Sequence, residues 1–436
     1  MTRVLIVDAD EVGLDFALRC RDAGHEVKLW IPNHADGTPD CVGDGLVDKP
    51  AHWRKWLPWA DLVVPTGNSK YQQAIDRAIR AGFPVFSGTS EANSLELDRE
   101  KGQQVLEECG IETAPYEVFT NLNDAIAYVK KTRKGYACKP WGGNADKSMT
   151  CVEDDPDNTV YILEKWKQKG SFKGKLVLQE HIRGIEMGIA GWFGPGGWCE
   201  WFEENFEEKK FMNDGLGCNT GEQGTVMRYV KKSKLFWDML QPLTDYLHSV
   251  NYVGNVSVNC IIDEKGTPWP LEFTMRLGWP AFNIEQVMHK GDPVEWMVGL
   301  LNGQDLLEGI PDVAVGVVLT HGDYPLGKAP VSEHEGYPIR GITLKNHGNL
   351  HFQAVKEGIA PVDGKDQRTL VTAGTYVMVC TGTGDTVQLA RQAAYKIAGQ
   401  IRWPSNVQYR TDIGSRLRSE LPQLHGLGYA KGFEYT

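Results

Sequence analysis

The chain has 436 residues, 41% hydrophobic and 24% charged, with fourteen tryptophans. That composition belongs to a folded chain of several domains and excludes a small stapled scaffold, a disordered chain or a collagen-like one. Lys plus Arg number 46 against 57 Asp plus Glu, a net charge of −11, so there is no bulk attraction to nucleic acid or to an anionic membrane. The nine cysteines are scattered with no CxxC pair, which is usage of a reducing compartment and not a disulfide framework or zinc ribbon. No apolar run approaches the roughly 20 residues of a membrane helix, and the N-terminus MTRVLIVDADEVG lacks the pattern of a secretion signal. A soluble, cytoplasmic protein is expected.

In chain order the pattern opens as alternating α/β. A buried strand over Val4–Val7, a helix from about Val12 to Gly24 and a strand over Glu26–Trp30 form one unit. Asp61–Pro65 (strand), Tyr71–Arg80 (helix, stopped at Gly82) and Phe83–Phe86 (strand) form the next, so a parallel sheet is predicted, closing near residue 97. The turn after the first strand is Asp8-Ala9-Asp10-Glu11-Val12-Gly13. It is acidic where a dinucleotide needs bare amides, which argues against a Rossmann dehydrogenase. A helix over Asp98–Cys109 and an extended segment to Phe119 follow. Strands at Tyr136–Lys139 and Lys175–Gln179 then flank a glycine-containing loop, Trp141–Ser148, and a helix near Thr159–Gly170. Strands return at Gly254–Ile262 and Trp269–Phe273 around the turn Asp263-Glu264-Lys265-Gly266, then a helix over Pro293–Leu301. The last 120 residues or so hold short strands near Val313–Thr320 and Thr369–Cys380 and a helix over Asp385–Gly399.

Four places carry residue types suited to chemistry. Lys139 and Lys147 bracket a loop containing Gly142 and Gly143; amides and two ammonium groups can wrap a polyphosphate, and a solvated loop has the same composition. Gln179-Glu180-His181-Ile182 ends a strand ahead of Glu186, an arrangement in which a strand edge pairs with adenine and a carboxylate accepts ribose hydroxyls, or simply an exposed hairpin. Asn219-Thr220-Gly221 lies in a polar stretch read as a substrate loop or a turn, with a helix to follow. In Pro270-Leu271-Glu272-Phe273-Thr274-Met275-Arg276-Leu277-Gly278 the period of two sets Glu272, Thr274 and Arg276 on one face. Glu272 then needs a partner, either Mg²⁺ or Arg276, and Asn259 on the preceding strand offers a second oxygen ligand or a hydrogen bond. The histidines form no HExxH or other zinc cluster and no GxSxG elbow occurs, so zinc and serine hydrolases drop out.

The order of these pieces, with Gly322-Asp323-Tyr324-Pro325 and the YRTDIGSRL stretch over Tyr409–Leu417, resembles the ATP-grasp superfamily. Within it the chain is most similar to the phosphoribosylamine-glycine ligase (glycinamide ribonucleotide synthetase) family, over nearly its whole length. The resemblance implies an α/β ATP-grasp fold with a Rossmann-like pre-ATP-grasp domain (1–97), an ATP-grasp domain (98–310, lid subdomain about 118–188) and a small C-terminal α+β domain (311–436). It implies ATP with Mg²⁺ or Mn²⁺, an amino acid such as glycine, an amine, and a monomer or homodimer. Residue by residue, it implies that Lys139 and Lys147 hold the ATP phosphates, with Arg99 where the family has its first phosphate lysine. Gln179, Glu180 and Ile182 then belong to the adenine strand and Glu186 to the ribose. Glu272 is implied as a metal ligand, beside Asn259 and with Thr274 in place of an asparagine. Asn219, Thr220, Gly221, Arg276 and Gly278 fall to the substrates, with Arg276 and Lys147 as the catalytic pair.

Departures from the family pattern are not random. Asp8-Ala9-Asp10-Glu11 replaces a glycine-rich turn that serves a substrate phosphate. Carboxylates facing a phosphate at 4 Å would oppose it by about 4 kcal/mol at an effective dielectric of 20. Val64-Pro65-Thr66-Gly67-Asn68 replaces Gly-Pro-Glu, and Trp279 and Ala281 replace acids. The expected reaction is ATP-dependent amide formation through an acyl phosphate, as in purine biosynthesis. The alternatives are an amidoligase that joins an amino acid to a different amine, and a nucleotide-binding protein without turnover.

Overall fold

A computed structural model describes residues 1–141, 149–362 and 364–436. The chain forms two compact units: residues 1–93, 187–257 and 274–436 in the first, residues 94–186 and 258–273 in the second.

The first unit opens with Arg3–Val7, whose Val4, Leu5 and Ile6 are fully buried, so the strand carries helices or loops on both faces, as parallel strands do. It pairs in parallel with Glu26–Trp30 on one side, Val7 opposite Trp30, and with Leu62–Pro65 on the other, Ile6 opposite Val64. Two expected helices fall here, at Leu14–Asp22 and Gln72–Arg80. The strand expected over Phe83–Phe86 is reduced to a single parallel bridge, Val63 to Val85. An aromatic-rich core of Trp30, Trp53, Ile75 and Val85 closes one face of this sheet.

The rest of the first unit is built on antiparallel strands. Ile185–Gly194, Gly197–Lys210, Asn219–Val230, Val313–Thr320, Tyr376–Gly384 and Leu350–Phe352 neighbour one another in that order. Both faces are covered: all eight residues of Val313–Thr320 are buried, and Val387–Ala398, capped by the Thr386 side chain, packs on the tail strands. The tail adds a smaller antiparallel sheet, Glu335–Pro338, Lys365–Ala373 and Val355–Val362. The helix expected after Gly224 is instead strand through Val230.

In the second unit four antiparallel strands run in the order Tyr116–Phe119, Lys175–Glu180, Tyr136–Trp141, Cys151–Glu153. Helices Leu122–Thr132 and Pro156–Lys169 lie on one face and share the core of Val129, Tyr136, Leu163, Leu176 and Leu178. Their starts are written locally: Asn121 and Asp155 each accept a backbone N–H of the first turn, and Pro156 sits at the first helical position. Gly170 closes the second helix in the left-handed region at φ 59°. Asp98 caps the helix Arg99–Glu108 by accepting from the N–H groups of Glu100 and Lys101. The unit is completed by the hairpin of Val258–Ile262 and Pro268–Phe273, closed where the Asp263 N–H donates to the Thr267 carbonyl at 3.0 Å. Among the described residues no helix is long and apolar enough to cross a membrane.

Candidate active site

Lys139 stands on the strand Tyr136–Trp141, opposite Val177. Its ammonium donates to the Gln179 Oε1 at 2.6 Å and reaches the Leu271 carbonyl at 3.4 Å. The Gln179 carboxamide is buried, and its Nε2 donates to the Ala114 carbonyl at 3.5 Å, which fixes the acceptor oxygen toward the lysine. One residue beyond Leu271 is Glu272, whose carboxylate lies 3.8 Å from the Arg99 guanidinium and is 43% exposed. Lys139, Gln179, Arg99 and Glu272 are thus gathered within the second unit, from two strands, a helix start and a hairpin. A cation held by neutral acceptors and a solvent-facing carboxylate beside a second cation suit a polyanion with its counter-ion.

The strand that ends at Gln179-Glu180 is not an edge. It lies between two neighbours, and the N–H groups of Glu180 and His181 are taken by the carbonyls of Pro115 and Gly135 at 2.8 and 3.2 Å. Those two N–H groups are therefore taken within the sheet. The Glu180 carboxylate accepts from Lys134. Ile182 lies past the strand end, half-buried, as is Glu186. Between them Gly184 has to be glycine: a Cβ there would stand 2.2 Å from the Ile262 carbonyl oxygen, so this turn lies directly on the hairpin that bears Asn259 and Glu272. Asn259 is buried at 6% exposure. Lys147 and most of the loop Trp141–Ser148 lie outside the described residues.

The remaining expected residues belong to the first unit. Asn219-Thr220-Gly221 is not a free loop but the bulged start of a strand. Asn219 pairs with Lys210 while Gly224 pairs with Glu208, so the residues between them are thrown out of register. The Thr220 hydroxyl donates to the Lys209 carbonyl at 2.8 Å. Gln223 Nε2 approaches both the Thr220 hydroxyl and the Tyr324 hydroxyl at 3.4 Å, which ties this bulge to the Gly322-Asp323-Tyr324-Pro325 motif of the tail. Asn219 and Gly221 are exposed. The strand bearing Glu272 ends at Thr274, so the alternation expected to carry on to Arg276 stops there. Arg276 is half-buried with its guanidinium donating to the Leu277 carbonyl at 2.9 Å, and the Gly278 carbonyl accepts from the Phe282 N–H at 2.8 Å.

In the acidic first turn Asp8, Asp10 and Glu11 have different surroundings. Asp8 points inward and is fully buried. Its Oδ2 accepts from the Gly13 N–H at 2.7 Å, and its Oδ1 from the Thr66 hydroxyl at 2.8 Å, the Val12 N–H at 3.1 Å and the Asp10 N–H at 3.3 Å. Burial raises its pKa above the ordinary carboxylate range, and these donors offset only part of that rise. Asp10 is held 3.1 Å from the Lys70 ammonium. Glu11 sits in the left-handed region at φ 60° with its carboxylate near His34 and Asp40; desolvation, then the Asp40 charge, push it up to about 6. The Asp8 carboxylate thus serves as an internal cap of the turn.

This arrangement, a two-unit α/β chain with a lysine strand, a glutamine-glutamate strand and a carboxylate hairpin, defines an ATP-grasp protein. The phosphoribosylglycinamide synthetase ATP-grasp (A) domain matches residues 98–281 and the C domain of the same synthetase matches residues 314–416. The chain belongs to that family. It is 26% identical over 349 residues to a phosphoribosylamine-glycine ligase of Ralstonia nicotianae, covering 77% of this chain and 79% of that protein. It is 27% identical over 354 residues to the corresponding ligase of Vibrio cholerae, covering 78% and 80%. Among solved structures it is similar to phosphoribosylamine-glycine ligase of Thermotoga maritima, with a TM-score of 0.69 at 23% identity over 94% of this chain and all of that one. A biotin carboxylase of Campylobacter jejuni shares the fold at TM-score 0.63 and 13% identity.

Proposed function

We propose that the chain is an ATP- and Mg²⁺-dependent ligase that joins an amino acid, glycine in the first instance, to an amine through an acyl phosphate. It is a ligase of the phosphoribosylamine-glycine type found in purine biosynthesis. The observation that carries this reading is the grouping of Lys139, Gln179, Arg99 and Glu272 in one unit. Lys139, with Arg99, binds and orients the triphosphate and offsets charge as the γ-phosphoryl passes to the carboxylate. Lys147 acts with them. Glu186 and the segment from Gln179 through Glu180 to Ile182 receive the nucleoside. Asn219, Thr220, Gly221, Arg276 and Gly278 position the two small substrates, Arg276 steadying the carboxylate under attack.

The donor set suits a hard divalent cation. Glu272 supplies an exposed carboxylate and Asn259 a carboxamide oxygen, with the Thr274 hydroxyl as a weaker third donor, all oxygen ligands of the kind Mg²⁺ and Mn²⁺ take. A bound ion of this kind would offset phosphate charge, with Glu272, Asn259 and Thr274 as the residues that would hold it.

A second reading keeps the reaction and changes the amine; the buried Asp8 carboxylate favours it. The test of the shared chemistry is hydroxylamine trapping with ATP, Mg²⁺ and a panel of carboxylates headed by glycine. Hydroxamate with one carboxylate is expected; ATP binding with no hydroxamate from any of them would instead fit a nucleotide-binding protein without turnover.

A further inference from the structure

Two loops leave the same end of the parallel sheet, one after Arg3–Val7 and one after Glu26–Trp30, strands that finish side by side with Val7 opposite Trp30. They bring three side chains of metal-ligating type together. Glu11 comes from the first loop, His34 and Asp40 from the second, and one ligand atom of each lies within 4.8 Å of the other two. A tight turn brings the last two close: the His34 N–H donates to the Thr38 carbonyl and the Gly37 N–H to the His34 carbonyl, both at 2.9 Å, so the chain doubles back between them.

Asp40 anchors the group. It is only 6% exposed, and its Oδ1 accepts from the Val42 N–H at 2.7 Å, while Oδ2 faces the His34 Nε2 at 3.6 Å, too far for a hydrogen bond. A carboxylate oxygen taken out of water with no donor is costly unless a cation serves it. The protein's own cations are committed elsewhere. Lys49 donates to the Asp40 backbone carbonyl and to Asp44, each at 2.6 Å, and stands 4.0 Å from Asp40 Oδ1. Lys70 is held by the Ala9 carbonyl at 2.9 Å and by Asp10 at 3.1 Å. Two carboxylates therefore converge on one imidazole, and among the described residues no lysine or arginine pairs with Glu11.

The spacing suits a shared ion. Two ligands of one tetrahedral ion, each about 2.0–2.2 Å from it, stand about 3.4 Å apart, close to the separation of Asp40 and His34. Glu11, exposed and on a long side chain, can close the third side. Two carboxylate oxygens with an imidazole nitrogen favour a first-row transition ion over Mg²⁺, which prefers oxygen ligands throughout. We propose that Glu11, His34 and Asp40 bind a divalent first-row transition-metal ion, which ties the loop after the first strand to the loop after the second. These residues are not those assigned to the nucleotide's Mg²⁺, and the site does not depend on the ligase reading.

The test titrates the whole, chelator-stripped protein with Co²⁺ in excess Mg²⁺, which occupies sites built of oxygen alone. One equivalent of Co²⁺ is expected to bind with the visible absorption of oxygen and nitrogen ligation, and to raise the midpoint of thermal unfolding by mass action. His34→Ala and Glu11→Gln are each expected to weaken that binding at least about tenfold, since loss of even an outer-shell partner commonly costs as much. Glu11 is exposed, so its variant keeps the fold if the His34 variant does not. Parent protein that takes up no Co²⁺ in excess Mg²⁺ overturns the proposal. So does binding that folded Glu11→Gln keeps within about twofold of the parent, a change too small for a lost ligand, or sulfur-to-metal charge-transfer absorption that traces the ion to the cysteines.

Discussion

Replacing Lys139 with methionine is the sharpest test of the nucleotide site, because it keeps the length of the aliphatic stem and deletes only the ammonium. Two effects separate. Within the protein, the buried Gln179 Oε1 loses its donor at 2.6 Å and the Leu271 carbonyl loses a longer one at 3.4 Å. Leaving one buried acceptor unmade costs about 1–3 kcal/mol, and the 3.4 Å contact adds little, so unfolding of the second unit should be easier by about 1–2 kcal/mol. Toward ATP, a charge-assisted hydrogen bond to phosphate is worth about 1.5–3 kcal/mol, below the Coulomb ceiling of about 4 kcal/mol for unit charges 4 Å apart at an effective dielectric of 20. At about 1.4 kcal/mol per tenfold this predicts a loss of roughly 10- to 150-fold in affinity. Calorimetric titration of a non-hydrolysable ATP analogue with Mg²⁺ reads the second effect, and thermal unfolding reads the first. Lys139→Arg, which restores the charge in a bulkier plane, should recover most of the affinity. Folded Lys139→Met protein that binds the analogue within twofold of the parent would refute the phosphate role.

Two further outcomes are expected. Glu272→Gln should raise the Mg²⁺ concentration needed for half-maximal hydroxamate formation at least about tenfold, since a neutral amide replaces the one carboxylate of the donor set; an unchanged Mg²⁺ titration would remove the metal assignment. Glu204, buried on the strand Gly197–Lys210 and accepting from the Ser233 hydroxyl at 2.6 Å, is pushed up to about 7 by burial against the pull of Ser233 and Arg228. Its folded-state pKa lies above the unfolded value, so its contribution is most favourable below about pH 4.5 and is lost as pH rises from there to 7. The loss amounts to about 3 kcal/mol, at about 1.36 kcal/mol for each pH unit between the ordinary glutamate value and about 7. Glu204→Gln should therefore gain stability over the parent at pH 8 and little at pH 5, and identical pH profiles for the two proteins would contradict it.

How much of this could be read from the residues alone divides along physical lines. Glu26–Trp30 and Gly254–Ile262 coincide with the strands found, because unbroken apolar or alternating runs between turn residues are local signals. The helix Arg99–Glu108 begins where Asp98 says it should. The long strands over Ile185–Val230 were not legible. Gly188, Gly191 and Gly194 interrupt the first, and Glu203, Glu204, Glu207 and Glu208 give the second the look of a solvated surface, though Glu203 and Glu204 are buried. Those acids are tolerated through partners distant in sequence, Ser233 for Glu204 and Arg416 for Glu208, which no window of local pattern contains. The same holds at the site. Lys139 and Glu272 stand out by residue type, but the pairing of Arg99 with Glu272 across more than 170 positions and the inward turn of Asp8 are properties of the fold alone.

The ladder between Gly224–Arg228 and Val313–Val317 joins the strand that follows the Asn219-Thr220-Gly221 bulge to the first strand of the tail. A chain severed between residues 302 and 313 would leave each piece with a naked row of donors and acceptors along a strand that is buried in the whole protein. Such an edge recruits other chains, so each fragment is an aggregation hazard rather than a smaller enzyme. The tail strand thus shields the strand after the bulge from such pairing, whatever part it plays in the chemistry.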